Sequence, residues 1–154
     1  MRTIWVLAAV WSAVVSTGML PDRVAAAGVA DLQVSHRHGQ TFLTWKEPEE
    51  LTGDEPISYE QFKQLTTVWS NRRHYRIYRS SEPIRSVRGL TPIGEAQVLS
   101  CWNDCYPSRP RTSEEDLLSR FVIEAGKPPV AANRGLYVHQ PQLSGTAYYA
   151  VTVV

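Results

Sequence analysis

Only 2 of the 154 residues are cysteine, and 16 Lys and Arg stand against 15 Asp and Glu, a formal net charge of +1. So few thiols exclude a disulfide-dense mini-protein, and so even a balance offers no global field for holding nucleic acid or an anionic membrane. The chain also lacks the composition of a collagen, a long coiled coil or an acidic disordered tail. No internal repeat or low-complexity tract occurs. G-x-S-x-G, H-E-x-x-H, G-x-x-x-x-G-K-[ST] and G-x-G-x-x-G are all missing, and with them the nucleophile elbow, the zinc-peptidase helix and the phosphate cradle. These absences argue against a standalone enzyme, and no catalytic residue, metal or cofactor is expected. A Ser/His/Asp set gathered from distant positions stays open, because triads are recognised by geometry.

What is present begins with a leader pattern. Arg2 gives a positive start, Thr3 to Pro21 carries no charge, and Ile4 to Val15 is apolar. Pro21, Asp22 and Arg23 precede Ala25-Ala26-Ala27, an A-x-A site for signal peptidase. Residues 1–27 are therefore expected to be a signal peptide cleaved after Ala27, and residues 28–154 a single secreted or periplasmic domain. An uncleaved anchor is the alternative, although the run falls short of the ~20 residues that a spanning helix needs. Removal of Arg2, Asp22 and Arg23 leaves the mature chain formally neutral, with no stable membrane insertion expected. In an oxidising compartment Cys101 and Cys105 are expected to close a small local disulfide.

Alternation predicts strands over Asp31–Ser35 and Thr41–Trp45, joined by a turn at His36-Arg37-His38-Gly39. Further strands are expected over Tyr75–Arg79, with one basic face, and over Leu90–Ala96, Gly135–His139 and Ala147–Val154. Two polar insertions interrupt them. Ser58-Tyr59-Glu60-Gln61 is a capping-box pattern leading into Phe62, Leu65 and Trp69, which predicts a short helix. Ser113-Glu114-Glu115-Asp116 before Leu117 predicts a second, and Phe121 to Glu124 reads as either its continuation or a strand. With no strand-helix alternation to build a parallel sheet, the fold class is mainly β, an antiparallel sandwich.

Leu32-Gln33-Val34, Thr41-Phe42-Leu43-Thr44-Trp45-Lys46-Glu47-Pro48, Tyr75-Arg76-Ile77-Tyr78-Arg79 and Leu143-Ser144-Gly145-Thr146-Ala147-Tyr148-Tyr149-Ala150-Val151 resemble the fibronectin type III pattern. The resemblance implies an immunoglobulin-like sandwich with Trp45 in its core and Tyr148 or Tyr149 at a tyrosine corner. It does not cover the two inserted helical or loop segments. It also implies a seventh strand along the free side of the corner strand. Ala147 to Val154 is that corner strand, so the last strand is expected to be missing, leaving an apolar edge at Tyr149, Val151 and Val153. The natural product is then expected to continue past Val154, or a partner to supply the strand.

The leading functional expectation is a non-catalytic exported module, at the N-terminus of a larger extracellular protein, that spaces, orients or docks a partner domain. The partner is a downstream domain of the same polypeptide or another protein, and nucleic acid is not expected. The alternative is a carbohydrate-binding accessory module of a secreted hydrolase, with Trp69, Trp102 and Tyr106 stacking on polysaccharide. Sealing of the insertions onto the sandwich is the plainer reading of those rings. His36 and His38 could offer two nitrogens to a metal, with His74 and His139 as further candidates by type alone, though solvated turn residues are the plainer reading. Arg72, Arg73, Arg76, Arg79, Arg85 and Arg88 could offer a surface to an acidic glycan or, less well in an exported chain, to nucleic acid, though a solvent face neutralised by the acidic insertion around Glu47 to Glu60 is the plainer reading.

Overall fold

The computed structural model describes residues 28–53, 57–69, 72–103, 120–142 and 145–154. The expected signal peptide, Cys105, Tyr106, the helix after Ser113 and Leu143 all lie outside them. Among the described residues are the strands β1 (Ala30–Arg37), β2 (Gln40–Lys46), β3 (His74–Ser80), β4 (Gly94–Gln97), β5 (Arg134–His139) and β6 (Tyr148–Val153). They form two antiparallel three-stranded sheets, ordered β1-β2-β5 and β4-β3-β6. The chain is mainly β, as its alternation predicts.

β1 and β2 are joined by a two-residue turn. His38 and Gly39 both have positive φ, 48° and 76°, the combination whose twist suits a tight hairpin. The strand therefore runs on through Arg37, two residues past its expected end. At the other end of β1 the register shifts between Ala30 and Gln33, and Asp31 sits at φ 48°. A non-glycine residue there is strained, and Arg134 holds it: Nη1 donates to Asp31 Oδ2 at 2.5 Å and Nη2 to the Asp31 carbonyl at 2.7 Å. The change of sheet comes just before this bulge: Gly28 bridges Thr152 of β6, whereas Ala30 already pairs with Lys46 of β2.

The core lies between the sheets. Trp45 is 0% exposed and meets Tyr75 edge-on, with ring centroids 5.0 Å apart. Its indole lies over Gly135, where a Cβ would overlap the ring, so a residue without a side chain is required. Register places Thr41, Leu43 and Trp45 beside His139, Tyr137 and Gly135 in one sheet. In the other, Tyr75, Ile77 and Arg79 lie beside Val153, Val151 and Tyr149. The middle of this core is apolar, and its two ends carry the polar groups: Glu47 beyond Trp45 at one, and Thr41, His139 and Arg79 at the other.

Two short helices precede β3: α1 (Glu49–Thr52) and α2 (Tyr59–Trp69). The capping box forms as its spacing predicts, Gln61 N–H donating to Ser58 Oγ at 3.3 Å and Ser58 N–H to Gln61 Oε1 at 2.7 Å. α2 turns Phe62 into the core and half-buries Leu65 and Trp69 against it. α1 has Pro48 at its N-cap and Gly53, at φ 64°, ending it. Two expectations need correction. β4 starts only at Gly94, because Pro92 has no N–H for a ladder. Phe121 to Glu124 is neither helix nor strand; Arg120 makes a single bridge to Trp102, and Phe121 N–H donates to the Cys101 carbonyl at 2.9 Å.

Candidate functional site

Trp102 is 3% exposed, in the core rather than on an exposed platform. Its ring stacks on Phe62 at 5.1 Å and 10°, tilts against Tyr59 at 6.0 Å, and receives the Arg120 guanidinium at 5.7 Å. Its Nε1–H donates to the Ala132 carbonyl at 2.9 Å. With those contacts made, the ring is held among α2, Arg120 and Ala132 and has no face left for a sugar. Trp69 is half-buried, with the Arg73 guanidinium 5.2 Å over its ring. The third platform residue, Tyr106, lies outside the described residues.

Cys101 is buried, its Sγ donating to the Ala131 carbonyl at 3.4 Å, and burial pushes its thiol up to about 12. Its expected partner Cys105 is not among the described residues, so the disulfide remains an expectation. His36 and His38 part company: His36 lies on β1 with Nδ1 2.9 Å from Thr41 Oγ1, whereas His38 is in the exposed turn. His74 Nε2 lies 3.7 Å from Glu95. Among the described residues no three His, Cys, Asp or Glu side chains converge as a metal site would require.

The basic stretch also divides. Arg76 and Arg79 are three apart and so fall on opposite faces of β3, not on one. Arg76 is paired across the ladder by Glu95, at 3.1 Å, rather than by the acidic insertion.

Glu47 is the residue that sequence reading passed over. It is 1% exposed. Oε2 accepts the Tyr75 hydroxyl and Oε1 accepts the Leu99 N–H at 2.7 Å, so one carboxylate ties the end of β2 to β3 and to the turn after β4. Leu99, fully buried, has φ 56°, a strained conformation that this hydrogen bond helps to hold. Desolvation raises the Glu47 carboxyl to about 7, outweighing the hydrogen bonds from Tyr75 and Leu99 and the charge of Arg73. The same burial, with Glu47 beside it, raises the Tyr75 phenol. The signal available to sequence was a glutamate at alternating spacing from Leu43 and Trp45.

The sheet edges differ in chemistry. β4 is only four residues long and carries Glu95, and β1 carries Asp31 and Arg37. β5 carries Arg134, and its outward Leu136 N–H donates to Ser100 Oγ at 2.9 Å, so the turn after β4 covers that edge. β6 reads Tyr-Tyr-Ala-Val-Thr-Val, with neither charge nor proline. His74 and Val154 exchange both backbone bonds, at 3.1 and 2.8 Å, and the alternation of an antiparallel ladder then turns the amides of Tyr149 and Val151 away from β3. Among the described residues, the backbone bond made to that free side is Val29 N–H to the Val151 carbonyl, at 3.4 Å.

Comparison with family models, curated proteins and solved structures finds no match.

Proposed function

We propose that the chain is an exported, non-catalytic, fibronectin type III-like module that docks a partner through the free edge of β6. The observation that carries this reading is the uncharged edge itself. Natural edge strands are blunted by charge, proline, shortness or a covering loop, and β1, β4 and β5 each use one of these devices. Among the described residues β6 uses none along Tyr149 to Val151, and what meets its outer side is the Val29 N–H on the Val151 carbonyl and the bridge from Gly28 to Thr152. Such an edge accepts an added strand by main-chain hydrogen bonds, with alternate side chains setting specificity. The strand would come from a downstream domain of the same polypeptide or from a separate protein.

The sheet orders support the immunoglobulin-like part of the reading. With β1, β2 and β5 as strands A, B and E, and β3 and β6 as C and F, the two sheets match the halves of that sandwich, and the open side of β6 is where strand G would pair. The buried Trp45 fits the core tryptophan that the sequence resemblance implies. The carbohydrate alternative gains no support, since Trp102 is sealed and one face of Trp69 is covered by Arg73.

Sedimentation of residues 28–154, alone and with a strand appended after Val154, tests the proposal. The short form is expected to self-associate with rising concentration, and the extended form to run as a monomer with a higher thermal midpoint. A short form that is monomeric at all concentrations and no less stable than the extended one would defeat the docking-edge reading.

A further inference from the structure

At the end of the sandwich opposite Glu47, strand register gathers five polar side chains into one layer between the sheets. His36, Thr41 and His139 stand opposite one another across β1, β2 and β5. Arg79 and Tyr149 stand opposite one another on β3 and β6, at inward positions continuing Tyr75 and Ile77, and Val153 and Val151. The two halves meet: the rings of His139 and Tyr149 lie 6.1 Å apart, edge to face, although they belong to different sheets. Thr41 is buried, Arg79, His139 and Tyr149 are half-buried, and His36 is exposed, so the layer opens to solvent on the His36 side.

The layer's chemistry is one-sided. It offers a guanidinium, two imidazoles and two hydroxyls and contains no carboxylate. Arg79 Nε is buried without a hydrogen-bond partner, and Arg79 makes no ion pair among the described residues, unlike Arg37, Arg76 and Arg134. A buried donor is ordinarily satisfied, and a guanidinium fork between two sheets is matched by an oxyanion. His139 feels the same deficit, its imidazolium disfavoured by burial and by the charge of Arg79.

From this placement we propose that Arg79, His139, Tyr149, Thr41 and His36 form a binding site for a tetrahedral oxyanion, phosphate or sulfate. Arg79 is its charged anchor, His139 and Tyr149 donate from the facing sheets, and the Thr41 hydroxyl, already in contact with His36, closes the apolar side. A bound anion satisfies Arg79 Nε and reverses the electrostatics at His139, whose protonation it then favours. The site is independent of the β6 edge pairing, because these groups are side chains turned into the sandwich.

The test is an imidazole NMR titration of the full chain, with and without 10 mM-scale inorganic phosphate, against chloride at equal ionic strength. Phosphate is expected to raise the His139 titration midpoint several-fold more than chloride does. Arg79→Gln is expected to abolish the phosphate effect, and Arg79→Lys, which keeps the charge and loses the fork, to weaken it. Repeating the titration with a sulfated disaccharide separates the sources: a response to the sugar at lower concentration than to inorganic sulfate assigns the anion to a glycan ester, and equal responses assign it to a free ion. A His139 midpoint that moves equally in phosphate and chloride, or a phosphate effect that survives Arg79→Gln in a folded variant, would overturn the site.

Discussion

Glu47→Gln isolates the most unusual group in the fold. The carboxyl titrates at about 7 in the folded chain against an ordinary 4.5, because burial disfavours its charged form. The folded state thus keeps a proton that the unfolded state loses. The stability this group contributes is fully present below pH 4.5, declines as pH rises through the interval, and is gone above about pH 7. A shift of that size corresponds to roughly 3 kcal/mol, read as an order of magnitude. Glutamine keeps the acceptor for the Leu99 N–H and presents an amide to Tyr75, whose hydroxyl can then accept instead. An imperfect fit there costs about 1 kcal/mol. At pH 8 the variant is therefore expected to be the more stable by about 2 kcal/mol, some 4–8 °C in Tm for a chain of this size. At pH 5 it should match the wild type or fall below it. Thermal unfolding of both proteins from pH 5 to 8 gives the difference curve, in which other titrating groups cancel. Parallel curves, or a variant less stable at pH 8, would mean that Arg73 and the hydrogen bonds already compensate the buried charge, and the reasoning from desolvation would fail.

Other consequences follow from packing. Trp102→Ala is expected to cost ~3–5 kcal/mol in urea unfolding, as much as Trp45→Ala, because both rings are buried among side chains that cannot close the gap; Trp69→Ala should cost much less. Gly135→Ala drives a methyl into the rigid Trp45 indole and is expected to cost ~1–3 kcal/mol or more, measured the same way. The exported chain is expected to begin at Gly28 and to carry a Cys101–Cys105 disulfide, and intact mass before and after alkylation, without reduction, checks both at once; two alkylatable thiols would exclude the bond.

The strands were legible because their apolar residues alternate: Leu43 and Trp45, Tyr75 and Ile77, Val151 and Val153 each mark a core-facing side. The capping box at Ser58 was legible for a similar reason, since its two hydrogen bonds are local. What sequence could not tell was set by contacts distant in the chain. Trp102 sits amid polar and turn residues and looks exposed, yet it is buried by Phe62, 40 positions away, and by Arg120. Glu47 sits in a run of acids, and only the fold separates it from the exposed Glu49 and Glu50. The error at Arg76 and Arg79 was one of parity: residues three apart on a strand cannot share a face.

The edge of β6 is tested most directly by amide hydrogen exchange across the strand, followed from dilute to concentrated protein. In the dilute chain Tyr148, Ala150 and Thr152, which face β3, should be protected while Tyr149 and Val151 exchange freely. On association, or on adding a strand, Tyr149 and Val151 should gain protection in step. Tyr149 and Val151 amides already protected in the dilute monomer, or still exchanging freely in an associated state, would contradict the account.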